Sequence, residues 1–473
     1  MTEKTFSKNV NKKLNVRKTR TFFILKFIGK ISYFFFYIFS ANLTNVDICI
    51  IMETFFEING GNKLYGEIVN QTSKNATLPI MSACLMLDGV TKITNYPKIS
   101  DVDNMISLLS FLGAKVEKSE EDLLINTNNC QNTGIDGQLS KTMRSSVFLL
   151  GSYLSRFKNV MLTLPGGCDI GLRPIDVHIS ALKQLDVNVS CLGNNVFFDS
   201  TNAKANKVKL RMPSVGATEN IIQFACKLKG KTTIINPAKE PEVVDLCNFL
   251  NLSGAKILGA GTNKITIYGV DSLVGITYKP IGDRITAGTI VGAVAMCGGD
   301  VTIRNAVPYQ NLNFLKKVAS LGCQIDIKND IIHIISDGKL KSIGKIETGY
   351  YPEFPTDLQS IMLAISTIAE GETTIIENIF ENRFQIVHEL IKCGARFRKL
   401  SNRIVKIRGV ESLKPAEFEA KELRGGAALV LLALATIGKS KVTGVNFIDR
   451  GYENLEETLT KLGAEIKRCQ KEK

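Results

Sequence analysis

The sequence predicts an α/β fold assembled from six copies of one module and divided into two domains. Three observations carry this. A phrase of the form Leu-Gly-Ala-Lys recurs six times, its second position falling at Gly113, Asp186, Gly254, Gly322, Gly394 and Gly463, so successive copies lie 73, 68, 68, 72 and 69 residues apart. Each phrase closes an amphipathic stretch and opens a β-branched run, so a helix hands over to strands. Six modules of this size also exceed what one hydrophobic core supports.

Within a copy the elements follow in a fixed order. An apolar, β-branched run closed by Asn comes first, clearest at 90–95, 232–236, 301–305 and 373–378, and reads as a strand. A polar stretch follows, then helical periodicity over 103–112, 243–252 or 312–321. The Gly of the phrase supplies the left-handed residue that stops the helix. A second strand follows at 114–117, 255–258 or 324–327, with a third at 264–268 or 331–335. The natural division puts residues 74–282 in one domain and 52–73 with 283–473 in the other, so the chain starts in one domain, builds the other and returns.

Composition narrows the function. The net charge is +14, of which residues 1–51 hold +7 (nine Lys or Arg against Glu3 and Asp47). The remainder is spread without a basic run, which argues against nucleic acid and fits a site for small anions. Residues 1–51 are expected to lie outside the fold. Their uninterrupted apolar stretch, 31–41, is shorter than a spanning helix needs, and membrane contact would require this extension. Eleven cysteines without CxxC spacing fit reduced thiols and a cytoplasmic protein. Three scattered histidines and the lack of phosphate-loop or dinucleotide glycine motifs leave no metal or cofactor expected.

The places where copies differ are the candidate site. The second copy carries Leu-Pro-Gly-Gly-Cys-Asp-Ile-Gly-Leu-Arg-Pro at 164–174. Its glycines and prolines describe a loop that can approach a ligand, and Arg173 favours the thiolate of Cys168. Lys74, beside Asn75, precedes an apolar segment. A cation at a helix start opposes the dipole, so it reads either as a surface lysine or as half of a phosphate site. Arg144, Arg383, Arg424 and Arg450 stand at comparable points of other copies. Singly each is a solvated charge or an ion-pair partner; together they converge on an anionic ligand. Asp357, in Pro-Thr-Asp before an apolar segment at 358–368, reads first as a helix N-cap.

Taken in order, several motifs closely resemble one family. They are Ser-Lys-Asn-Ala at 73–76, Lys-Thr-Met-Arg at 141–144, the 164–174 loop, Pro-Ser-Val-Gly-Ala-Thr at 213–218, Phe-Pro-Thr-Asp at 354–357, Phe-Glu-Asn-Arg-Phe at 380–384 and Ile-Asp-Arg-Gly-Tyr at 448–452. That family is the UDP-N-acetylglucosamine enolpyruvyl transferases of peptidoglycan synthesis. The resemblance spans about residues 55–467. It implies two inverse α/β barrel domains, each of three βαβαββ repeats. It also implies transfer of the enolpyruvyl group of phosphoenolpyruvate to the 3′-hydroxyl of UDP-N-acetylglucosamine, with release of phosphate and no metal. By the same resemblance Cys168 forms an adduct with phosphoenolpyruvate and is the target of fosfomycin, and Asp357 is the base. Lys74, Arg144, Arg173 and Arg450, with Arg424 near them, surround phosphoenolpyruvate. Asn75, Ser214, Val215, Gly216, Ile379 and Arg383 hold or support the nucleotide sugar.

The chain departs from the family pattern at Ser100, where a basic residue is usual, at Glu422 in place of Asp, and at Phe447 in place of His. Thr72-Ser73 and Thr286-Ala287 also differ. The sister shikimate-pathway transferases share the fold but lack the Pro-Gly-Gly-Cys loop. A non-catalytic nucleotide-sugar-binding paralogue is the reading from another class.

Overall fold

In the computed structural model, residues 52–134, 144–163 and 175–472 are described, with side chains omitted at Met52, at 144–146 and at Glu472. The sixfold phrase is visible in the backbone. All six of its second positions have positive φ: five glycines, between +91° and +118°, and Asp186 at +60°. Each ends a helix whose next residues enter a strand. Asn95, Asn236 and Asn305, which close the first strands of their copies, are also left-handed, at +53° to +58°. Asn tolerates that region because its short amide bonds locally.

Six sheets follow, among the described residues, one for each copy: five of four strands and one of three. The first copy shows the scheme. Val90–Thr94 pairs antiparallel with Asp122–Asn126, which pairs antiparallel with Lys115–Lys118, while Thr277–Tyr278 lies parallel on the outer edge. The sixth copy is completed from the far end of the chain. Met52–Gly60 sits between Gly438–Thr443 and Glu465–Glu472, antiparallel to both, in the place its siblings give to their own third strand. Leu64–Val69 likewise adds a parallel edge to Gly299–Arg304.

Inside the sheets lie helices with no solvent-exposed face. Arg284–Cys297, Gln359–Ser366 and Leu423–Ala435 are buried almost throughout, as is Val215–Ala225 from Ala217 onward. Helices buried on every side, mostly apolar, make up the interior, and each fully buried Leu or Ile there contributes about 1.5–3 kcal/mol. Contact is close: a Cβ on Gly292 would meet Ile361 Cγ2 at 2.5 Å and Leu431 Cδ2 at 3.3 Å. Only glycine lets these three helices meet.

Two hydrophobic cores lie within the compact unit Ile51–Lys473. One runs from Leu78 to Leu273; the other joins Phe56, Ile58, Leu64 and Ile68 to residues between Ile285 and Ile466. Among the described residues no helix is long and apolar enough to cross a membrane.

Candidate functional site

Lys74 is the first residue of the helix Lys74–Ala83, and Ser73 caps that helix by accepting from Ala76 N–H. The ammonium is not at the surface. Its Nζ lies 2.7 Å from Asp101 Oδ2, with side-chain exposures of 12% and 6%. Arg450 reaches the same carboxylate, Nε to Oδ1 at 2.9 Å and Nη2 to Oδ2 at 3.4 Å. Burial would raise the Asp101 pKa, but Lys74 and then Arg450 outweigh it and hold the carboxyl below its usual value. Burial lowers the Lys74 pKa. Asp101 opposes that effect, while Arg424 and Arg450 add to it. The helix-start cation therefore does have a partner, supplied from the next helix, Ser100–Phe111.

A second carboxylate sits between two other cations. Asp357 Oδ1 accepts from Arg383 Nη2 at 2.7 Å, and Oδ2 lies 3.5 Å from Arg424 Nη2. Both guanidinium groups are buried, while a quarter of the Asp357 side chain remains exposed. The plain N-cap reading of Asp357 gives way, since the caps of its turn and of the following helix are Pro355 and Leu358. Arg424 stacks over Tyr452, 5.4 Å from the ring centroid, and Arg383 over Phe380 at 5.2 Å. Burial opposes the charge of Arg424; Tyr452, Asp357 and Asp283 overcome it and push its pKa up. Arg383 Nε and Arg424 Nη1 are buried donors with no hydrogen-bond partner among the described residues. Such unmet donors are costly in a finished core and useful in a site for anions.

Two more acids organise this group. Glu422 caps the helix Leu423–Ala435, accepting from Arg424 N–H at 2.9 Å and from Gly425 N–H, and its Oε2 lies 3.5 Å from Arg383 Nη1. The added methylene of Glu422 thus still serves both a cap and an ion pair. Asp283 caps Arg284–Cys297 through Oδ1, to Ile285 N–H at 2.8 Å and Thr286 N–H at 3.1 Å. Its Oδ2 takes Lys74 N–H at 3.3 Å. Since Asp283 also acts on Arg424, it ties the Lys74 and Asp357 groups together.

The remaining sequence candidates divide three ways. Ser214 caps the helix Val215–Ala225, its Oγ accepting from Ala217 N–H at 3.3 Å, so Val215 and Gly216 begin that helix. Ile379 N–H donates to Glu377 Oε1 at 2.8 Å, while Glu377 Oε2 accepts from Thr356 Oγ1 at 3.0 Å. The Ile379 loop is thereby fastened to the turn that presents Asp357. Asn75 is half-buried beside Lys74. Arg144 opens the turn Arg144–Leu149, but its side chain is outside the described positions, and Cys168 and Arg173 lie outside the described residues altogether.

Sequence reasoning missed Asp101, Asp283, Glu377 and the buried pair Arg284–Glu242 (Nε to Oε1, 3.0 Å). Asp101, Asp283 and Glu242 look like ordinary helix-start acids, and Glu377 like an acid that closes a strand. The available signal was the excess of cations at copy ends, which in a low-dielectric interior demands counter-charges.

Among solved structures the fold is shared with enolpyruvyl transferases. The enolpyruvyl transferase NikO from Streptomyces tendae superposes with a TM-score of 0.80 at 22% identity, covering 89% of this chain and 99% of its own. EPSP synthase from Acinetobacter baumannii gives 0.67 at 18% identity, over 88% of this chain and 100% of its own. The family model for EPSP synthase (3-phosphoshikimate 1-carboxyvinyltransferase) matches residues 58–459. Identity is higher to two proteins of narrower name. UDP-N-acetylglucosamine 1-carboxyvinyltransferase 2 of Caldanaerobacter subterraneus subsp. tengcongensis is 43% identical over 413 residues, 87% of this chain and 99% of that protein. UDP-N-acetylglucosamine 1-carboxyvinyltransferase of Ruthia magnifica subsp. Calyptogena magnifica is 42% identical over 415 residues, 87% and 99%. The chain belongs to the EPSP synthase family and, within it, to the UDP-N-acetylglucosamine 1-carboxyvinyltransferases.

Proposed function

We propose that this chain transfers the enolpyruvyl group of phosphoenolpyruvate to the 3′-hydroxyl of UDP-N-acetylglucosamine and releases phosphate, a step of peptidoglycan synthesis. The observation that carries the reading is Asp357, a partly exposed carboxylate held by two buried guanidinium groups, of which Arg424 also acts on Lys74. Asp357 takes the proton of the sugar hydroxyl as its oxygen bonds to C2 of phosphoenolpyruvate and a proton is added at C3. Loss of phosphate from C2 and of a proton from C3 then restores the vinyl group. Lys74, Arg424 and Arg450, with Arg144 and Arg173, bind the phosphate and carboxylate and stabilise the charge that departs. Cys168 forms the phosphoenolpyruvate adduct and serves the acid step or product release. Asn75, Ser214, Val215, Gly216, Ile379 and Arg383 hold the nucleotide sugar or its surroundings.

The two hydrophobic cores support reading residues 74–282 as one domain and 52–73 with 283–473 as the other, their closure excluding water from the reacting centre. The substrates are small molecules; nucleic acid is no partner, the site is cytoplasmic, and any membrane contact belongs to residues 1–51.

Phosphate release measured with each substrate present or withheld tests the activity. Release only with phosphoenolpyruvate and UDP-N-acetylglucosamine together supports it. Release with shikimate 3-phosphate instead favours the sister reaction. Binding of the nucleotide sugar without release from either acceptor would establish a non-catalytic paralogue. Fosfomycin labelling should map to Cys168 and be lost in Cys168→Asp.

A further inference from the structure

Tyr452 and Thr289 are both buried, and their hydroxyl oxygens lie 2.9 Å apart. Thr289 stands on the helix Arg284–Cys297. Tyr452 follows the short helix Val445–Ile448, its N–H donating to the Ile448 carbonyl at 3.1 Å. The direction of the hydroxyl pair is set by its surroundings. Thr289 Oγ1 is also 2.9 Å from the Ile285 carbonyl, one turn back in its own helix. A carbonyl only accepts, so the Thr289 hydrogen can go there. Thr289 is the one acceptor within hydrogen-bond reach of the Tyr452 hydroxyl among the described residues. The order is therefore Tyr452 O–H to Thr289 and Thr289 O–H to Ile285, and the tyrosine oxygen keeps its own lone pairs unspent.

The neighbour that can use those lone pairs is Arg424, whose guanidinium lies over the Tyr452 ring at 5.4 Å from the centroid. A guanidinium offers donors only. Burial opposes the Arg424 charge, and Tyr452 leads the groups that restore it, ahead of Asp357 and Asp283. Burial also pushes the Tyr452 hydroxyl up, with Arg424 opposing, so at neutral pH it keeps the hydrogen it gives to Thr289. The rest of Arg424 is fixed as well. Its N–H is taken by Glu422 at 2.9 Å, and Nη2 lies 3.5 Å from Asp357. What remains is Nη1, a buried donor with no partner among the described residues. Cap, carboxylate and tyrosine together restrict the guanidinium on three sides and leave this one donor to spare.

We propose that Tyr452 and Thr289 are positioning residues: through their ordered pair of hydroxyls they hold the Arg424 guanidinium so that Nη1 is presented to phosphoenolpyruvate. The inference rests on the reading that Arg424 binds that substrate. Neither hydroxyl touches the substrate itself. Their effect is to spare Arg424 the cost of being fixed at the moment of binding. A hydroxyl pair that only completed the core would act on folding and would not separate the two substrates.

The test uses the full chain, with steady-state phosphate release measured against phosphoenolpyruvate and UDP-N-acetylglucosamine in turn, and thermal melting alongside. Tyr452→Phe keeps the ring and removes the hydroxyl. It should raise KM for phosphoenolpyruvate by about tenfold, the lower end for a hydrogen bond to a charged group, with KM for the nucleotide sugar and kcat within about threefold of the parent. Thr289→Val leaves the tyrosine hydrogen without its acceptor and should raise KM for phosphoenolpyruvate by about threefold to fivefold. Thr289→Ser restores a hydroxyl at the same place and should return that KM to within about twofold. Should Tyr452→Phe fail to melt cooperatively, the Thr289 pair decides the matter alone. A parental KM for phosphoenolpyruvate in folded Tyr452→Phe or Thr289→Val, an equal rise in KM for both substrates, or no difference between Thr289→Ser and Thr289→Val would each overturn the inference. Absence of phosphate release in the parent protein with both substrates present would instead overturn the reading of Arg424 beneath it.

Discussion

Asp101 and Asp357 are each held between two cations, yet they differ in exposure and in where those cations come from. Asp101 shows 6% of its side chain and Asp357 28%. The cations of Asp101 come from the two different cores. Lys74 opens a helix whose Leu78 and Ile80 lie in one, while Arg450 sits between Ile448 and Tyr452 of the other. The contact is reinforced beside it: Ser100 N–H donates to the Asp449 carbonyl at 3.0 Å, and Lys98 N–H donates to Glu453 Oε2 at 3.0 Å. Both cations of Asp357 come from segments packed in a single core. A carboxylate sealed on all sides by cations stays ionised and joins parts, whereas one left open on a side can exchange a proton. Exposure, more than the identity of the partners, separates Asp101, suited to fasten, from Asp357, which is proposed as the base.

That contrast can be broken most sharply at Asp357. Asp357→Asn should lower kcat by about a thousandfold, within the range of a lost general base, in a protein that still melts cooperatively. Near-parental turnover in a phosphate-release assay would remove Asp357 from the chemistry. Next in size is Asp101→Asn, which leaves Lys74 buried without its counter-charge. Urea unfolding should show a loss of about 3–5 kcal/mol, and a loss below about 1 kcal/mol would reduce Asp101 to a surface-like pair.

The same variant has a pH signature. The Asp101 carboxyl is held below its usual value of about 3.9 in the folded state. Between the two values the unfolded chain binds more protons, so stability rises with pH there. The contribution is complete above the unfolded value and disappears as pH falls through the folded one. Stability measured on the acid side should therefore fall less steeply in Asp101→Asn than in the parent. The smallest effect belongs to Glu422→Asp. The shorter acid can still cap the helix Leu423–Ala435, so stability should change by less than about 1 kcal/mol and turnover by no more than about threefold. A larger loss of turnover would mean that the reach of Glu422 to Arg383 is needed in this chain.

Much of the scaffold was legible because its signals are local. A residue that ends a helix must turn left-handed within one step of the chain, so Gly at five of six equivalent points is a direct imprint of backbone sterics. Asp186 obeys the same rule without the glycine. Strand-closing Asn95, Asn236 and Asn305 carry a similar imprint. The site was legible only in part. Cations at copy ends stood out, but Asp357 looked like a cap, because its Arg383 and Arg424 partners are 26 and 67 residues away.

The sequence by itself determined the sixfold module, the order of its strands and helices, and the residue types that accumulate where the copies differ. It could not determine which of those residues meet. Arg450 and Asp101 are 349 residues apart, and Met52–Gly60 completes a sheet with the last strand of the chain. Pairings of that kind leave no periodic trace, since each depends on where a whole core delivers its ends. Tertiary structure alone decided that Lys74 is an inward cation with a buried partner and that Asp357 lies between two guanidinium groups.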